Sequence, residues 1–228
     1  MTTQGISYAV DLVLCIDETG SMRPIIDRVK KSALSFSDDV RAVLAVKGKD
    51  ISSLRVRVIG FRDYYYDAER SLEASDFFEL PKDNDKFKSF VSGMRPEGGG
   101  DEPETGLEAL ATAINSPWAN PGTGRHRQLI VVWTDASAHP LEKNAGTKPS
   151  AYPAGMPKDL DELTDWWEGQ SAHVNQSARR LILFAPDGAG WNEIGSSWDQ
   201  TVHLASQAGA GLSDVEFSTI LDSIANSI

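Results

Sequence analysis

Asp17, Thr19 and Ser21 alternate along Asp17-Glu18-Thr19-Gly20-Ser21, directly after the apolar run Ala9–Ile16. One carboxylate and two hydroxyls at that spacing can offer oxygen to a hard divalent cation, or cap the helix that follows. Three further segments place acids and hydroxyls beside apolar runs. They are Arg62-Asp63-Tyr64, Gly98-Gly99-Gly100-Asp101-Glu102-Pro103-Glu104-Thr105 and Thr134-Asp135-Ala136-Ser137. Pooled, they make an all-oxygen donor set suited to Mg²⁺, Mn²⁺ or Ca²⁺. Several of these side chains also have plainer uses. Asp63 can cap a turn. Glu102 and Glu104 can sit in a first helical turn, where the dipole favours acids. Gly98 to Gly100 can form a loop or let the backbone approach an ion. Tyr64, Tyr65 and Tyr66 either pack against the sheet or, if exposed, anchor a partner.

Pooling these segments requires a scaffold that brings them together. Ala9–Ile16, Leu54–Phe61, Gln128–Trp133 and Leu181–Ala185 are short, β-branched and bounded by polar or Gly/Pro residues, as buried strands are. Leu54, Val56 and Val58 alternate with Arg55 and Arg57, which predicts partial solvent contact there. Thr201–Ala205 and Phe77–Leu80 read as further short strands. Ile25, Val29, Ala33, Phe36 and Val40 recur at helical spacing behind Pro24, predicting one helix. Shorter stripes follow at Phe87–Met94, Leu107–Ile114 and Leu160–Trp167. A last helix opens on a Ser213–Glu216 capping box. Strands alternating with helices predict an α/β fold: three layers, doubly wound, with a mostly parallel central sheet. Ligands of such sheets bind outside the carboxyl ends of the strands, where the polar segments fall. The expected organisation is a single domain over residues 1–228 with a loop insertion at about 136–158.

Composition narrows the partners. The 228 residues carry 22 Lys+Arg against 33 Asp+Glu, a formal net charge of -11, which disfavours nucleic acid and anionic membranes. The lone Cys15 excludes an internal disulfide and reads as a small buried hydrophobe. No run approaches the ~20 apolar residues of a membrane span. With neither a basic start nor an apolar stretch at Met1–Tyr8, a cytoplasmic protein is expected. His126, His139, His173 and His203 lack metal-ligand spacing and read as structural or surface residues, while Trp166 and Trp167 read as core.

The segment Asp17-x-Thr19-Gly20-Ser21 after an apolar strand resembles the D-x-[ST]-x-S signature of von Willebrand factor A-type domains, which opens their metal-ion-dependent adhesion site. Asp135 matches the second acidic residue of that site, and the element order is similar along nearly the whole chain. Gly98 to Glu104 together with Phe61-Arg62-Asp63-Tyr64 resembles a subgroup found in bacterial proteins and beside kinase-like modules. The resemblance implies that Thr19 and Ser21 bind the cation, preferably Mg²⁺, directly. Asp17 and Asp135 would act through waters or by hydrogen-bonding ligands. Counting back five residues from Gly106, where the family has a threonine, lands on Asp101. A direct Asp101 ligand would satisfy the cation more fully and weaken its pull on a partner's carboxylate. The function implied is protein recognition or assembly without catalysis, by analogy within a bacterial stress or defence system.

The same strand and Asp-x-Thr-Gly-Ser also resemble the nucleophile motif of haloacid dehalogenase-type phosphotransferases, with Asp17 attacking phosphorus beside Mg²⁺. That family's later lysine and second acidic pair have no convincing match. Nor does the chain carry a G-x-S-x-G elbow, a phosphate loop of G-x-x-x-x-G-K-[ST] type or a G-x-G-x-x-G fingerprint.

Overall fold

Apolar runs with no polar face must be covered on both sides, and here they pair side by side at the centre of one sheet. The computed structural model describes residues 6–100, 102–119, 125–143, 148–149, 152–169, 174–213 and 215–228. Its strands are β1 (Ile6–Asp17), β2 (Lys49–Phe61), β3 (Leu72–Ala74), β4 (Phe78–Leu80), β5 (Arg125–Trp133), β6 (Arg179–Pro186) and β7 (Thr201–Ser206). They lie in the order β3-β2-β1-β5-β6-β7, with β4 also on β2. The five long strands are parallel, whereas β3 and β4 run antiparallel along the outer edge of β2. β7 ends the sheet on the other side, with Val202 exposed.

The helices are α1 (Arg23–Ser32), α2 (Phe36–Val46), α3 (Tyr64–Asp67), α4 (Asn84–Gly93), α5 (Gly106–Ile114), α6 (Leu160–Trp167), α7 (Trp191–Ser197) and α8 (Phe217–Ser227). Strand alternation divides the core in two. Val10, Leu12, Leu14 and Ile16 of β1 face α1, α2, α4 and α8, while Val13 and Cys15 face α5, α6 and α7. The result is the three-layer, mostly parallel α/β architecture expected. Trp133, Trp167 and Trp191 are wholly buried, the last two beneath α5–α7.

Local differences have physical causes. The single helix expected over Ile25–Val40 is two, because the chain turns at Ala33–Ser35 while keeping Ala33 and Phe36 in the core. Ser213 does not cap α8: its N-cap is Glu216, whose side chain makes no capping bond. Arg55 and Arg57 keep the partial solvent contact expected of them and are also hydrogen-bonded. Arg55 Nε donates to Asp11 Oδ1 at 2.7 Å, and Arg57 Nη1 donates to Ser116 Oγ at 2.7 Å. Burial would raise the Asp11 carboxyl, but His126 beside it and bonds from Arg55 and the Ala119 N–H bring it down to about 2.

Candidate metal centre

β1 and β5 end side by side, with Ile16 opposite Trp133, so Asp17 and Thr134-Asp135 meet at the carboxyl edge of the sheet. Asp17 is 0% exposed and both its oxygens are engaged. Oδ1 accepts from Thr19 N at 2.8 Å and Thr19 Oγ1 at 2.6 Å, and Oδ2 accepts from Thr134 Oγ1 at 2.7 Å. Thr19 Oγ1 lies 3.3 Å from Ser21 Oγ, which donates to Asp135 Oδ1 at 2.9 Å. Gly211 N, from the turn after β7, donates to Asp135 Oδ2 at 2.7 Å. Asp17, Thr19, Ser21 and Asp135 are thus one hydrogen-bonded chain of oxygens. Plain helix capping is not what they do, since neither the 3-10 turn Gly20–Met22 nor α1 has a side-chain capping bond.

The stretch before α5 supplies a residue that its sequence context disguises. Thr105 is the N-cap of α5, and its Oγ1 accepts from Tyr64 N at 3.0 Å. Glu104 therefore stands outside the helix, not in its first turn. It forms a bridge with Ala138, donates from N to Ser137 O at 2.9 Å and accepts at O from His139 N at 2.8 Å. Its side chain lines a cavity of about 300 Å³ together with Thr19, Ser21, Glu102 and Asp135. Glu104 is only 4% exposed, and its Oε2 has no hydrogen-bond partner. Burial first, then Asp17, Asp63, Asp67 and Asp135, push this carboxyl up to about 10. Burial, with help from Asp135, raises Asp17 to about 6 against the bonds it accepts from Thr19 and Thr134. A preferred N-cap type at Thr105, just before an apolar run, is the signal that could have placed Glu104 outside the helix. Thr134 carries no comparable signal in the sequence.

Gly98, Gly99 and Gly100 have φ of +79°, +83° and +31°, a region that side chains disfavour. A Cβ on Gly99 would meet Thr19 Cγ2 at 2.4 Å and Glu104 Oε1 at 2.7 Å, so this loop presses its backbone against the site. Gly99 N donates to Asp67 Oδ2 at 3.0 Å. Behind the site, buried Arg62 ties the loops together. Its guanidinium donates to Glu18 Oε2 at 3.0 Å and Arg95 O at 2.8 Å.

Asp63 caps α3, accepting from Tyr65 N at 2.9 Å, and also meets His139 Nε2 at 3.2 Å. His139 therefore joins the rim of the site instead of standing apart. Of the three tyrosines, Tyr64 is buried, while Tyr65 and Tyr66 are 48% and 63% exposed. Asp101 and His173 lie outside the described residues, so the structure does not place them. The expected insertion after Asp135 also lies partly outside them. Its start is built into the site, since Trp191 Nε1 donates to Ala136 O at 3.0 Å and Ala138 bridges Glu104. Further along, Lys143 Nζ reaches buried Glu108 Oε1 at 3.1 Å, and Tyr152 Oη donates to the same oxygen at 2.9 Å.

The donor set fits a hard cation: every side-chain atom facing the cavity from Thr19, Ser21, Glu104 and Asp135 that could ligate is oxygen, and one buried carboxylate oxygen is unpartnered. Among the described residues no three His, Cys, Asp or Glu side chains converge to hold a metal by themselves. A cation here would rest on the hydroxyls as well.

No family model matches the chain. The alpha-protein kinase vwkA of Dictyostelium discoideum is 30% identical over 162 residues, which is 70% of this chain and 24% of that protein. A protein of Acanthamoeba polyphaga mimivirus named as an ariadne-like RING finger protein is 26% identical over 177 residues, 77% of this chain and 15% of that protein. The chain thus spans a quarter or less of the curated relatives it matches. The pilus adhesin SpaC of Lactobacillus rhamnosus GG shares the fold. It superposes with a TM-score of 0.56 at 12% identity, covering 96% of this chain and 30% of the adhesin. Among the described residues no helix is long and apolar enough to cross a membrane.

Proposed function

We propose that the chain is a von Willebrand factor A-type protein-recognition module that holds one divalent cation, preferably Mg²⁺, at the carboxyl edge of its sheet. Thr19, Ser21 and Glu104 are the direct ligands in this reading. Asp17 and Asp135 accept hydrogen bonds from the two hydroxyls, which orients them, and place negative charge behind them. The observation that carries it is the Glu104 carboxyl, buried and lined up on the cavity with one oxygen unpartnered. A buried acid facing other acids is costly unless a proton or a cation neutralises it. Glu104 thereby stands with Asp101, which lies outside the described residues, as a candidate for the part that the family resemblance assigns to a threonine. A carboxylate ligand from the chain itself leaves the cation less electrophilic toward a partner's acid. Recognition then falls more on the exposed rim, where Tyr65 and Tyr66 stand.

The phosphotransferase reading asks Asp17 to attack phosphorus, yet both its oxygens accept hydrogen bonds and none of the side chain is exposed. That burial favours a binding module over an enzyme. A stress or defence assembly is the setting we propose for it on the resemblance, and a cytoplasmic place on the character of Met1–Tyr8.

Thermal unfolding of chelator-treated protein with and without Mg²⁺, Mn²⁺ or Ca²⁺ tests the site. A cation at ~100 times its dissociation constant adds about 2.7 kcal/mol, or roughly 5–10 °C for a chain this size. The shift is expected in wild type and lost in Glu104→Gln. No shift with any of the three cations overturns the metal site, and a partner captured equally with and without chelator overturns metal-dependent recognition.

A further inference from the structure

The opposite end of the sheet carries the other sign of charge. Where the strands begin, Tyr8 pairs with Arg125 and Val10 with Arg127 across β1 and β5, and Arg180 pairs with Leu129 across β5 and β6. Alternation puts Tyr8, Arg125, Arg127 and Arg180 on the same face, the one covered further along by α1, α2 and α8. The Tyr8 ring is buried. Arg125 Nη1 donates to its hydroxyl at 3.3 Å, and the Arg127 and Arg125 guanidinium carbons stand 5.0 Å and 5.8 Å from its ring centroid. Lys49 adds its charge from the start of β2, with Nζ donating to Ala225 O at 3.2 Å.

Among the described residues no carboxylate forms an ion pair with Arg125, Arg127 or Arg180. Arg127 Nε is buried without a hydrogen-bond partner. The adjoining stretches, residues 1–5 (Met-Thr-Thr-Gln-Gly) and 120–124 (Asn-Pro-Gly-Thr-Gly), contain no acid. Guanidinium groups cannot shed their protons to relieve the repulsion. Burial and then the charges of Arg127 and Arg179 depress Arg180, while the bond from Arg125 lowers the Tyr8 phenol. In a chain of net charge -11, such a cluster is not an accident of composition.

We propose that Arg125, Arg127 and Arg180, with the Tyr8 hydroxyl, form a binding site for one phosphate-class oxyanion. Planar guanidinium forks match the paired oxygens of such an anion, and Arg127 Nε is a donor in want of an acceptor. Tyr8 accepts from Arg125, and among the described residues its own hydroxyl proton has no acceptor, which leaves it to donate to an anion. One group is the right size, because the acidic remainder of the surface repels a long polyanion. The site lies about 30 Å from Asp17 along β1, nine residues at ~3.3 Å each. It stands or falls independently of the metal centre.

Calorimetric titration of the intact chain with inorganic phosphate, and separately with glycerol phosphate, at constant ionic strength tests this. Saturable binding of one anion per chain is expected, weakened about tenfold or more in Arg127→Gln and in Arg180→Gln. Arg125→Gln, at an exposed position, gives the same readout without threatening the fold. Ser21→Ala at the metal edge leaves binding unchanged. Tighter binding of inorganic phosphate assigns the site to the free ion, and tighter binding of the ester assigns it to a phosphate carried on a larger molecule. No saturable heat with either at millimolar concentration, or equal heats in wild type and the arginine variants, overturns the proposal.

Discussion

Ser21 Oγ donates to Asp135 Oδ1 at 2.9 Å across 114 residues of sequence. That one bond closes the gap between the loop after β1 and the loop after β5, so hydroxyl and carboxylate reach the cavity as a unit. Ser21→Ala removes both the bond and a proposed ligand oxygen. Stability without cation is expected to fall by only about 1 kcal/mol, whereas most of the Mg²⁺-induced rise in Tm disappears. A full Mg²⁺ response in Ser21→Ala would remove the hydroxyl from the ligand set.

The two raised acids set a pH dependence. Folding lifts Asp17 to about 6 and Glu104 to about 10. Their stabilisation is therefore complete below the ordinary carboxylate range near ~4, and is lost as pH climbs through those two values. Asp11 has the opposite sign: held near 2, it contributes fully above the ordinary range and does not vary in this window. Urea unfolding of cation-free protein should show lower stability at pH 8 than at pH 5. Added Mg²⁺ should stabilise more at pH 8, where it competes with fewer protons. A Mg²⁺ effect that does not grow with pH would speak against carboxylate ligands.

The Arg62–Glu18 pair behind the site is buried on both sides, and burial raises Glu18. Replacing Arg62 with Met strands that carboxylate and the Arg95 carbonyl together, at a cost of about 3–5 kcal/mol. Adding Glu18→Gln to Arg62→Met should recover part of the loss. Gly60→Ala probes the same place from the backbone, since its Cβ would fall 1.9 Å from Glu18 Oε1. Chemical denaturation of wild type, Arg62→Met, Glu18→Gln and the double variant measures the coupling, and additive losses would mean the pair does not act as one.

Lys143 and Tyr152 pin the long segment after Asp135 onto α5 through Glu108. Lys143→Met leaves Glu108 buried without its cation, and about 3–5 kcal/mol is expected to be lost. Tyr152→Phe keeps the ring beside Tyr64 and should cost about 1 kcal/mol. Limited proteolysis between 140 and 158 should accelerate in Lys143→Met far more than in Tyr152→Phe. Deleting the whole segment is expected to weaken metal binding as well, because Ser137 to His139 hold Glu104 by its backbone.

The scaffold was legible because its signals are local. β1, β2, β5 and β6 announce themselves as apolar runs between polar stops, and Asp159 caps α6 as its position before the stripe predicts. Asp17, Thr19, Ser21 and Asp135 were legible for the same reason, each sitting at the end of such a run. Glu104 was not. Its role depends on Thr105 ending the loop one residue later, and on a bridge to Ala138 that is 34 residues away. The pairing of Asp11 with Arg55 was not legible, because it is a cross-strand register that neither strand reveals alone. The break between α1 and α2 was hidden by apolar spacing that continues through the turn at Ala33 to Phe36.

β3 and β4 occupy the outer edge of β2 and are three residues long each, while the outer edge of β7 is open among the described residues. Short antiparallel pieces are poor templates for further pairing, and an open six-residue strand is a usable one. Among the described residues, strand exchange between copies of this chain is therefore favoured on the β7 side, where pairing of like edges closes as a two-fold pair.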